Sequence, residues 1–292
     1  MGKALNKYAH PDYMSHYHDY EMIRDCYDGS RAVKEAAEKY LPRLSGQLEE
    51  DYNNYRARAL FFPITGKTVS TMVGLATTKP PKTSYPSEMS RYFVDTDPAV
   101  QFTEFYIKTF HEVTLMGRFG VLIDAPVDGG EEILVPYLAE NIVNWDVDKE
   151  GHPNDLLLRE WYLVPGDDRF EKIKACRFRH CFIKDGVYQV EILDSDLEVT
   201  TPAIVPSFRG RALDFIPFAP LGSTGVHMHV DKPPMLDIST INVSHYMSSA
   251  DLEWGRHLVG LPTPVISGVD SSTKLHIGGT TAWVLPPAEA KA

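Results

Sequence analysis

The residues that most invite a chemical interpretation form a Gly-Lys pair that resembles part of a phosphate-binding loop. The run Thr65-Gly66-Lys67-Thr68 has the end of that motif, which also requires a glycine five residues before Gly66, so that backbone amides can wrap the phosphates. Phe61 occupies that position, and a helix rather than a strand is predicted before it. We therefore interpret the run as the start of a helix with Thr65 as its N-cap.

Two pairs of closely spaced histidines raise the question of a metal site. Each pair has one aspartate beside it: His16 and His18 precede Asp19, and His227 and His229 precede Asp231. On a strand, residues two apart lie on the same face, so each pair would offer two imidazoles together. Zinc usually requires three or four ligands that include cysteines or carboxylates. Two histidines alone do not supply them, and we interpret both pairs as solvated loop histidines.

Other motifs of enzymes are incomplete. His111-Glu112 begins like the helix of a zinc protease, but Leu115 stands where the second histidine of that motif should be. Cys176 and Cys181 lie on one predicted strand with no second cysteine pair, so we interpret them as core or edge thiols. No Gly-x-Ser-x-Gly run occurs in the sequence.

The acidic pairs Glu131-Glu132 and Asp167-Asp168 fall in predicted turns, where carboxylates are usually solvated. The sequence therefore predicts no catalytic residue, no cofactor-binding residue, no metal ligand and no cofactor, and it favours a protein that is not an enzyme. Sites assembled in space from distant residues are invisible to such reasoning. The enzyme alternative is a nuclease or hydrolase built from three scattered residues, namely Asp124, His111 and Asp146.

Composition indicates a folded protein with an ample core. The chain has 292 residues, of which 43% are hydrophobic and 24% charged, enough for one large domain or two ordinary ones. No apolar run approaches the roughly 18 residues of a membrane span, and the first residues lack the apolar region of a secretory signal. Three scattered cysteines are too few for a disulfide framework and favour a reducing compartment. A net charge of −11 argues against a surface that grips nucleic acid tightly, although a duplex could still pass such a surface without adhering.

Helical periodicity and capping signals predict four helices before the first strand. Residues 1–29 are polar and aromatic, and they are expected to form an arm or a short helical lead-in. The predicted helices that follow span 30–41, 45–61, 65–76 and 98–116, the first with Ser30 as its cap and the last opened by Asp97-Pro98.

The middle of the chain has the pattern of β structure. Asp185-Gly186 suits a tight hairpin turn with positive φ, so the two segments beside it are expected to pair. Seven strand segments are predicted, at 121–123, 133–138, 142–147, 156–164, 175–183, 187–193 and 212–218.

One long helix is predicted at 236–259, after a Pro-Pro pair and before a glycine. At 1.5 Å per residue it would be a rod of roughly 36 Å. Its apolar residues fall near one face, which we expect to pack: Met235, Ile238, Ile241, His245, Leu252 and Val259. Small residues line much of the rest, so the helix can pack against neighbours on more than one side. Two short strands with a turn at Gly278-Gly279 are expected between 261 and 285.

Arginines alternate with aromatic residues in three places, which are 55–58, 118–119 and 177–179. Such interleaving can bind single-stranded nucleic acid. On an acidic chain we favour contacts between subunits, where arginine and aromatic residues are enriched.

The order of these segments resembles the portal, or head-to-tail connector, proteins of tailed bacteriophages, and is nearest to a phage family described only as a domain of unknown function. The resemblance rests on the joint order of six stretches and on no catalytic signature. They are YRARALFFPITGKTVSTMVGLATTKPP (55–81), GRFGVLIDAP (117–126), PYLAENIVNW (136–145), IPFAPLGS (216–223), PPMLDISTINVSHYMSSADLEWGRHLVGLPTPVISG (233–268) and IGGTTAWVLPPAEA (277–290).

The resemblance implies a homo-oligomeric ring, expected to be a dodecamer, at one vertex of the capsid of a virion that assembles in the host cytoplasm. Its channel would carry double-stranded DNA during packaging and ejection, without sequence specificity. The implied partners are the major capsid protein, the terminase motor during packaging, and the adaptor or neck proteins afterwards. No membrane is involved.

The same resemblance implies an α+β fold and a division of the chain into portal regions. These are an N-terminal arm (1–29), a wing-like α+β domain (30–235), a stem-like helix (236–260) and a clip-like segment (261–292). Portals of this kind usually continue with a second stem helix and a crown, which this sequence does not contain. Beside the portal hypothesis stand another phage virion protein, such as an adaptor or minor capsid protein, and the hydrolase described above.

Overall fold

The computed structural model describes residues 8–79, 82, 84, 86–87, 102–124, 132–166, 168–208, 210–260, 265–267 and 283–285. The structure is 42% helix and 30% strand, so the chain mixes helix and sheet, which is compatible with the predicted α+β class. Contacts divide the chain into two compact units, Met1–Asp28 with Pro63–Ile241 and Gly29–Phe62 with Asn242–Ala292. In the second unit, 29–62 packs with the C-terminal helix, and the division into arm, wing-like domain, stem-like helix and clip-like segment stays a prediction. Within the described residues, no helix has the length and apolar character to cross a bilayer.

The first unit begins with helix α1 (Pro11–Asp28), where an arm or short lead-in was expected. Tyr13, Tyr20, Ile23 and Cys26 are fully buried on this helix. They recur at helical spacing and therefore form one inward face. The helical alternative of the prediction is thus confirmed for this segment, and the helix is part of the core. Its polar composition concealed this, because tyrosines supply the buried face.

The other helices of the first unit are α4 (Ile64–Ala76), α5 (Phe102–Met116) and the beginning of α6 (Leu236–Gly260). Together with α1 they pack on the sheets around one continuous core. Asp97-Pro98, the predicted start of α5, lies outside the described residues.

Two antiparallel sheets supply the rest of the first unit. One has three strands in the order β10-β1-β2, and the other is a five-stranded meander in the order β3-β4-β5-β6-β7. Their bounds are β1 Arg118–Asp124, β2 Ile133–Leu138, β3 Ile142–Val147, β4 Pro153–Pro165, β5 Lys172–Lys184, β6 Val187–Leu193, β7 Val199–Ile204 and β10 Phe218–Gly222. A separate two-stranded antiparallel sheet is formed by β8 (Ser207–Phe208) and β9 (Arg211–Ala212).

The hairpin predicted at Asp185-Gly186 is confirmed. It joins β5 to β6, and the two residues have φ angles of 53° and 75°, as a turn with two left-handed residues requires. The strand predicted at 212–218 is wrong. The chain ends β9 at Ala212, bends, and starts β10 only at Phe218, since Pro217 has no backbone N–H to donate to a sheet. Strand β7, exposed along its whole length, was not predicted.

The second unit contains α2 (Ser30–Glu35), a 3₁₀ turn (Ala37–Lys39), α3 (Glu49–Arg58) and most of α6. Helices α2 and α3 are shorter than predicted, because the residues between them form turns. The Tyr52 hydroxyl donates to the Leu41 carbonyl at 2.9 Å, and Lys34 Nζ donates to the Ala57 carbonyl at 2.9 Å. These bonds close the turn between the two helices.

Helix α6 has nearly its predicted bounds, but its predicted face is buried only at the start, where Met235 is buried and Ile238 packs against the core. Ile241, Leu252 and Val259 are 68%, 60% and 85% exposed. From Ser239 onward the buried residues are two polar ones and three apolar or aromatic ones, which are Ser239, Asn242, Val243, Tyr246 and Ala250. The polar residues can be buried because they are hydrogen-bonded: Asn242 Nδ2 donates to the Phe62 carbonyl at 2.9 Å.

Beyond α6, strands β11 (Val265–Ser267) and β12 (Trp283–Leu285) pair in parallel. Two short strands were predicted here. Because β11 and β12 are parallel, a tight turn alone cannot join them. The predicted turn at Gly278-Gly279 lies outside the described residues.

Candidate functional site

A partly buried cluster of charges links β4 and β5 to the three-stranded sheet. Glu160 on β4 accepts hydrogen bonds from Tyr137 Oη at 2.7 Å, Arg179 Nε at 2.7 Å and Arg177 Nε at 2.8 Å. Arg179 also donates to Asp124 at 2.7 Å. Burial by itself would raise the pKa of Glu160, but the Arg179 charge and the hydrogen bonds from Tyr137 and the two arginines hold it below its ordinary value. The cluster therefore fixes the place where β4 and β5 leave the sheet.

Past this cluster, β4 and β5 continue as a two-stranded ribbon. We call Arg159–Pro165 and Lys172–Arg177 the ribbon. Its strands pair with each other from Arg159↔Phe178 to Pro165↔Lys172, whereas β3 pairs with β4 only as far as Leu158 and β6 with β5 only from Phe178 onward. The ribbon thus lacks neighbouring strands on both edges within the described residues.

Both faces of the ribbon carry exposed apolar side chains. Trp161 and Leu163 lie on one face, and they are 48% and 66% exposed. Tyr162 and Ile173 lie on the opposite face and are also exposed, because successive residues of a strand point to opposite sides. A two-stranded ribbon has no core of its own to cover these residues, so the ribbon is a candidate contact surface.

Cations hold the ribbon's aromatic rings in place. Lys174 Nζ lies 4.5 Å from the centroid of the Trp161 ring, and the Arg177 guanidinium lies 5.3 Å from that of Tyr162. Such cation–π contacts contribute about 0.5–1 kcal/mol each at exposed sites. They present the rings in defined orientations, which lowers the entropy lost when a partner binds.

A second candidate surface is an apolar groove of about 590 Å³ in the same unit. Its walls come from β1, β2, the start of β4, and the segment that leads into β10. The lining residues are Val121, Ile123, Leu134, His152, Pro153, Phe215, Ile216, Pro217, Phe218 and Ala219. Ile216 and Phe218 form a buried floor, while Ile123 and Phe215 remain about half exposed at the rim.

The residues that resembled a phosphate-binding loop have packing roles. They lie inside α4, whose N-cap is Pro63 and not the predicted Thr65. Thr65 is fully buried, and its Oγ1 is 3.3 Å from Ser239 Oγ. A Cβ on Gly66 would come within 3.2 Å of the Tyr27 carbonyl oxygen, so a glycine permits the close approach of α4 and α1.

Neither predicted histidine pair is held on a strand. His16 and His18 lie on α1, where residues two apart project about 200° from each other, and they pair separately with Asp19 at 3.0 Å and Glu21 at 3.3 Å. The expectation of loop histidines is wrong for this pair.

His227 and His229 do lie in a loop, between β10 and α6. Asp231 closes that loop by accepting hydrogen bonds from Ser223 Oγ at 3.0 Å and from the backbone and side chain of Thr224. The His227 ring is hydrogen-bonded to Thr224 Oγ1 at 2.9 Å. These hydrogen bonds stabilise the conformation of the loop.

Asp148, Glu150 and His152 offer ligand atoms within 4.8 Å of one another. All three are exposed in the turn between β3 and β4, and Asp148 accepts backbone hydrogen bonds from the other two. The Asp148 carboxylate therefore stabilises the turn by accepting these backbone hydrogen bonds. Asp167 and Glu131, from the predicted acidic pairs, lie outside the described residues.

His111 and Glu112 belong to a structural ion-pair network in α5. Arg24 on α1 donates to Glu112 at 2.7 Å and to Glu140 at 2.8 Å. His111 Nδ1 is 3.4 Å from Glu112, and its ring packs edge-on against Tyr27. Glu112 is thus a neutralised, buried partner of an arginine.

The three residues of the enzyme alternative have separate partners. Asp124 pairs with Arg179, His111 with Glu112, and Asp146 accepts from the Val147 backbone at 2.9 Å. No contact among the described residues joins any two of the three.

Neither strand cysteine is placed as a reactive thiol. Burial raises the pKa of Cys176, and it raises that of Cys181 to about 12, so little thiolate forms at neutral pH. The two cysteines lie on opposite faces of β5, because they are an odd number of residues apart. Their interpretation as core and edge thiols agrees with this placement: Cys181 is buried and Cys176 is partly exposed on the ribbon.

Of the arginine–aromatic runs, the one at 118–119 is a core feature and not a surface one. Arg118 is 3% exposed, and its guanidinium stacks 4.0 Å from the centroid of the Trp145 ring. Sequence reasoning also missed both candidate surfaces. The available signal for the ribbon was the unbroken apolar run 161–164, since four consecutive apolar residues on a strand make both faces apolar.

Comparison with known families gives one match. Residues 234–292 match the domain of unknown function DUF4055, an uncharacterised domain that is commonly found in phage-type proteins. The matched region covers α6, β11 and β12 and contains neither the ribbon nor the groove. No curated protein matches the chain.

Proposed function

We propose that the chain is a structural subunit of the portal ring of a tailed bacteriophage. Copies of the chain would surround a channel at one capsid vertex, through which double-stranded DNA enters during packaging and leaves during ejection. The ring would contact the major capsid protein, dock the terminase motor, and later dock the neck and tail proteins. The subunit itself catalyses no reaction in this proposal.

The observation that carries the proposal is the ribbon with apolar residues exposed on both faces. Single exposed apolar residues are ordinary on protein surfaces, but contiguous patches usually mark interaction sites. Trp161 and Tyr162 are of the residue types that dominate binding energy at interfaces. A subunit that has neighbours on two sides needs surfaces of this kind.

Helix α6 gives independent support. The exposed stripe of Ile241, Leu252 and Val259 runs along a 25-residue helix, and the small residues Ser244, Ser248 and Gly255 near it are exposed as well. Small residues let a neighbouring helix approach closely. The match to DUF4055 covers this helix, which links it to phage-type proteins.

The charge of the chain fits a conduit better than a DNA-binding protein. A net charge of −11 provides no excess of cations to displace counterions from a duplex. DNA that must slide through a channel benefits from a wall that repels it weakly at many points.

Negative-stain imaging of the purified protein tests the proposal. We expect closed annular particles with a central pore of roughly 20 Å or more, wide enough for a duplex. Particles no larger than a monomer or dimer at high protein concentration would contradict the portal proposal. They would instead favour an adaptor or minor capsid protein, which forms no large ring by itself.

A further inference from the structure

The two candidate surfaces of the first unit lie toward opposite ends of one strand. Pro153 begins β4 and lines the groove, while Trp161 to Pro165 form part of the ribbon at the other end. At about 3.3 Å per residue, the strand covers roughly 26 Å between Pro153 and Trp161. The exposed end of the ribbon and the start of β4 at the groove are therefore well separated along the strand.

The surfaces match in chemical character. One face of the ribbon presents Trp161 and Leu163 as exposed apolar side chains. The groove offers a floor of Ile216 and Phe218 and a rim that includes Phe215. Large apolar residues that enter a concave apolar site are the usual centre of a stable interface.

Their charges are complementary. The ribbon carries Arg159, Lys172, Lys174 and Arg177, and its acid, Glu160, is neutralised by Arg177 and Arg179. Around the groove, the exposed acids within four residues of a lining residue are Asp148, Glu150 and Asp214, and they outnumber the exposed bases Lys149 and Arg211. Opposite charges at the edge of an interface favour the correct partner and orientation.

We infer that the ribbon of one copy docks in the apolar groove of a second copy of this chain. Because different surfaces meet, the contact is heterologous. Repeated contacts of this kind form a ring when the rotation between copies closes and an open filament when it does not, and the proposed function requires the ring. This inference rests on the proposed ring-forming function, which it deepens by naming the surfaces through which neighbouring copies meet.

A cysteine cross-link tests the contact. The experiment uses the full chain in a Cys176→Ser background, with Leu163→Cys on the ribbon and Phe215→Cys at the groove. Mild oxidation is expected to give a ladder of covalent oligomers that ends at one closed species. The matched control replaces Leu163→Cys by Leu44→Cys, which alters a leucine of equal exposure, 66%, and should give no ladder.

A charge exchange tests the same contact without a new bond. Lys172→Glu should weaken self-association about 10-fold, the scale of one lost charge pair at an interface edge. Adding Glu150→Lys should restore association, which a purely structural effect of either substitution would not do. Trp161→Ala should weaken self-association about 30-fold or more, because tryptophans at the centre of an interface contribute a large share of the binding energy. Unchanged association in Lys172→Glu and Trp161→Ala would overturn the inference.

The outcomes separate this inference from the proposed function. Closed rings without a cross-linked ladder would overturn the ribbon–groove contact and leave the portal proposal standing. A ladder of open oligomers that never closes would support the contact and contradict the ring. Monomers without any ladder would overturn both.

Discussion

At the scale of single residues, largely buried ion pairs link distant parts of the chain. Arg24 on α1 bridges Glu112 on α5 and Glu140 beside β3. No local pattern in the sequence predicts this network, because Arg24 is separated from its two partners by 88 and 116 residues. In the sequence, His111-Glu112 resembles only an incomplete zinc motif, and Arg24, which gives Glu112 its role, lies 88 residues away.

Arg24→Ala is expected to destabilise the protein by about 3 kcal/mol, because it leaves two carboxylates without their buried partner. Chemical denaturation measures the change in the free energy of unfolding. Arg31→Ala is the control, since Arg31 pairs with Glu35 on the exposed side of a helix, and such pairs contribute at most about 0.5 kcal/mol. Equal effects of the two substitutions would refute the structural role of Arg24.

Acid should weaken the same network. Burial by itself raises the pKa of Glu112, but hydrogen bonds and charges from His111 and Arg24 lower it to about 2, from an ordinary value of 4.5. A lowered pKa in the folded state stabilises the fold above pH 4.5, and this contribution is lost as the pH falls toward 2. The Tm difference between the wild-type chain and Glu112→Gln should therefore be largest at neutral pH and shrink below pH 4.5. A difference that stays constant with pH would contradict this assignment.

At the scale of elements, α6 combines a buried polar face with an exposed apolar stripe. Leu252→Arg, on that stripe, should leave the free energy of unfolding of the isolated chain within about 0.5 kcal/mol. It should weaken self-association about 10-fold or more, because a charge would enter an apolar contact. Sedimentation velocity over a range of concentrations measures the second effect. Leu75→Arg on α4 is a matched control, since Leu75 is also an exposed helical leucine, and it should leave association unchanged.

His180 joins three strands of the meander. Its ring is 2.8 Å from Glu191 on β6 and 3.2 Å from Asp155 on β4. Burial opposes the charged form, but the hydrogen bonds and charges of the two carboxylates raise the pKa of His180 above 6.5.

A raised pKa in the folded state stabilises the sheet below pH 6.5, and the contribution is lost as the pH rises through the folded pKa. The Tm of His180→Gln should therefore fall furthest below that of the wild-type chain in mildly acidic solution. His152→Gln, in an exposed turn, serves as the control. A larger decrease in Tm for His180→Gln at alkaline pH than at mildly acidic pH would contradict the predicted direction of this pH dependence.

Much of the secondary structure could be predicted from the sequence, whereas the candidate surfaces could not. Alternation and the Asp-Gly turn identified β5 and β6, since these are local signals. The buried face of α6 was misassigned because apolar residues were assumed to point inward. Asn242 and Ser239 are buried instead, through hydrogen bonds to residues far away in sequence. The ribbon was missed because its exposure depends on where β3 and β6 stop pairing, which no single strand encodes.

At the scale of the whole molecule, the proposal predicts weak contact with DNA. Binding of a duplex should be barely measurable near physiological salt, and its affinity should depend little on salt concentration. For proteins that neutralise DNA phosphates, the logarithm of the binding constant falls linearly with the logarithm of the salt concentration, with a slope of about −0.9 per phosphate contact. Fluorescence anisotropy with a labelled duplex at several salt concentrations measures this slope. A steep slope would mean that a basic surface grips the DNA, contrary to the conduit proposal.

The central claim is that copies of this chain close into one ring. Native mass spectrometry of the purified protein at micromolar concentration tests it most directly, because each assembly is a whole multiple of 32.9 kDa. We expect a single dominant species of about a dozen chains, with no series of intermediate sizes, since a closed ring has a fixed number of members. A stable monomer or dimer, or a continuous series without a closed species, would contradict it.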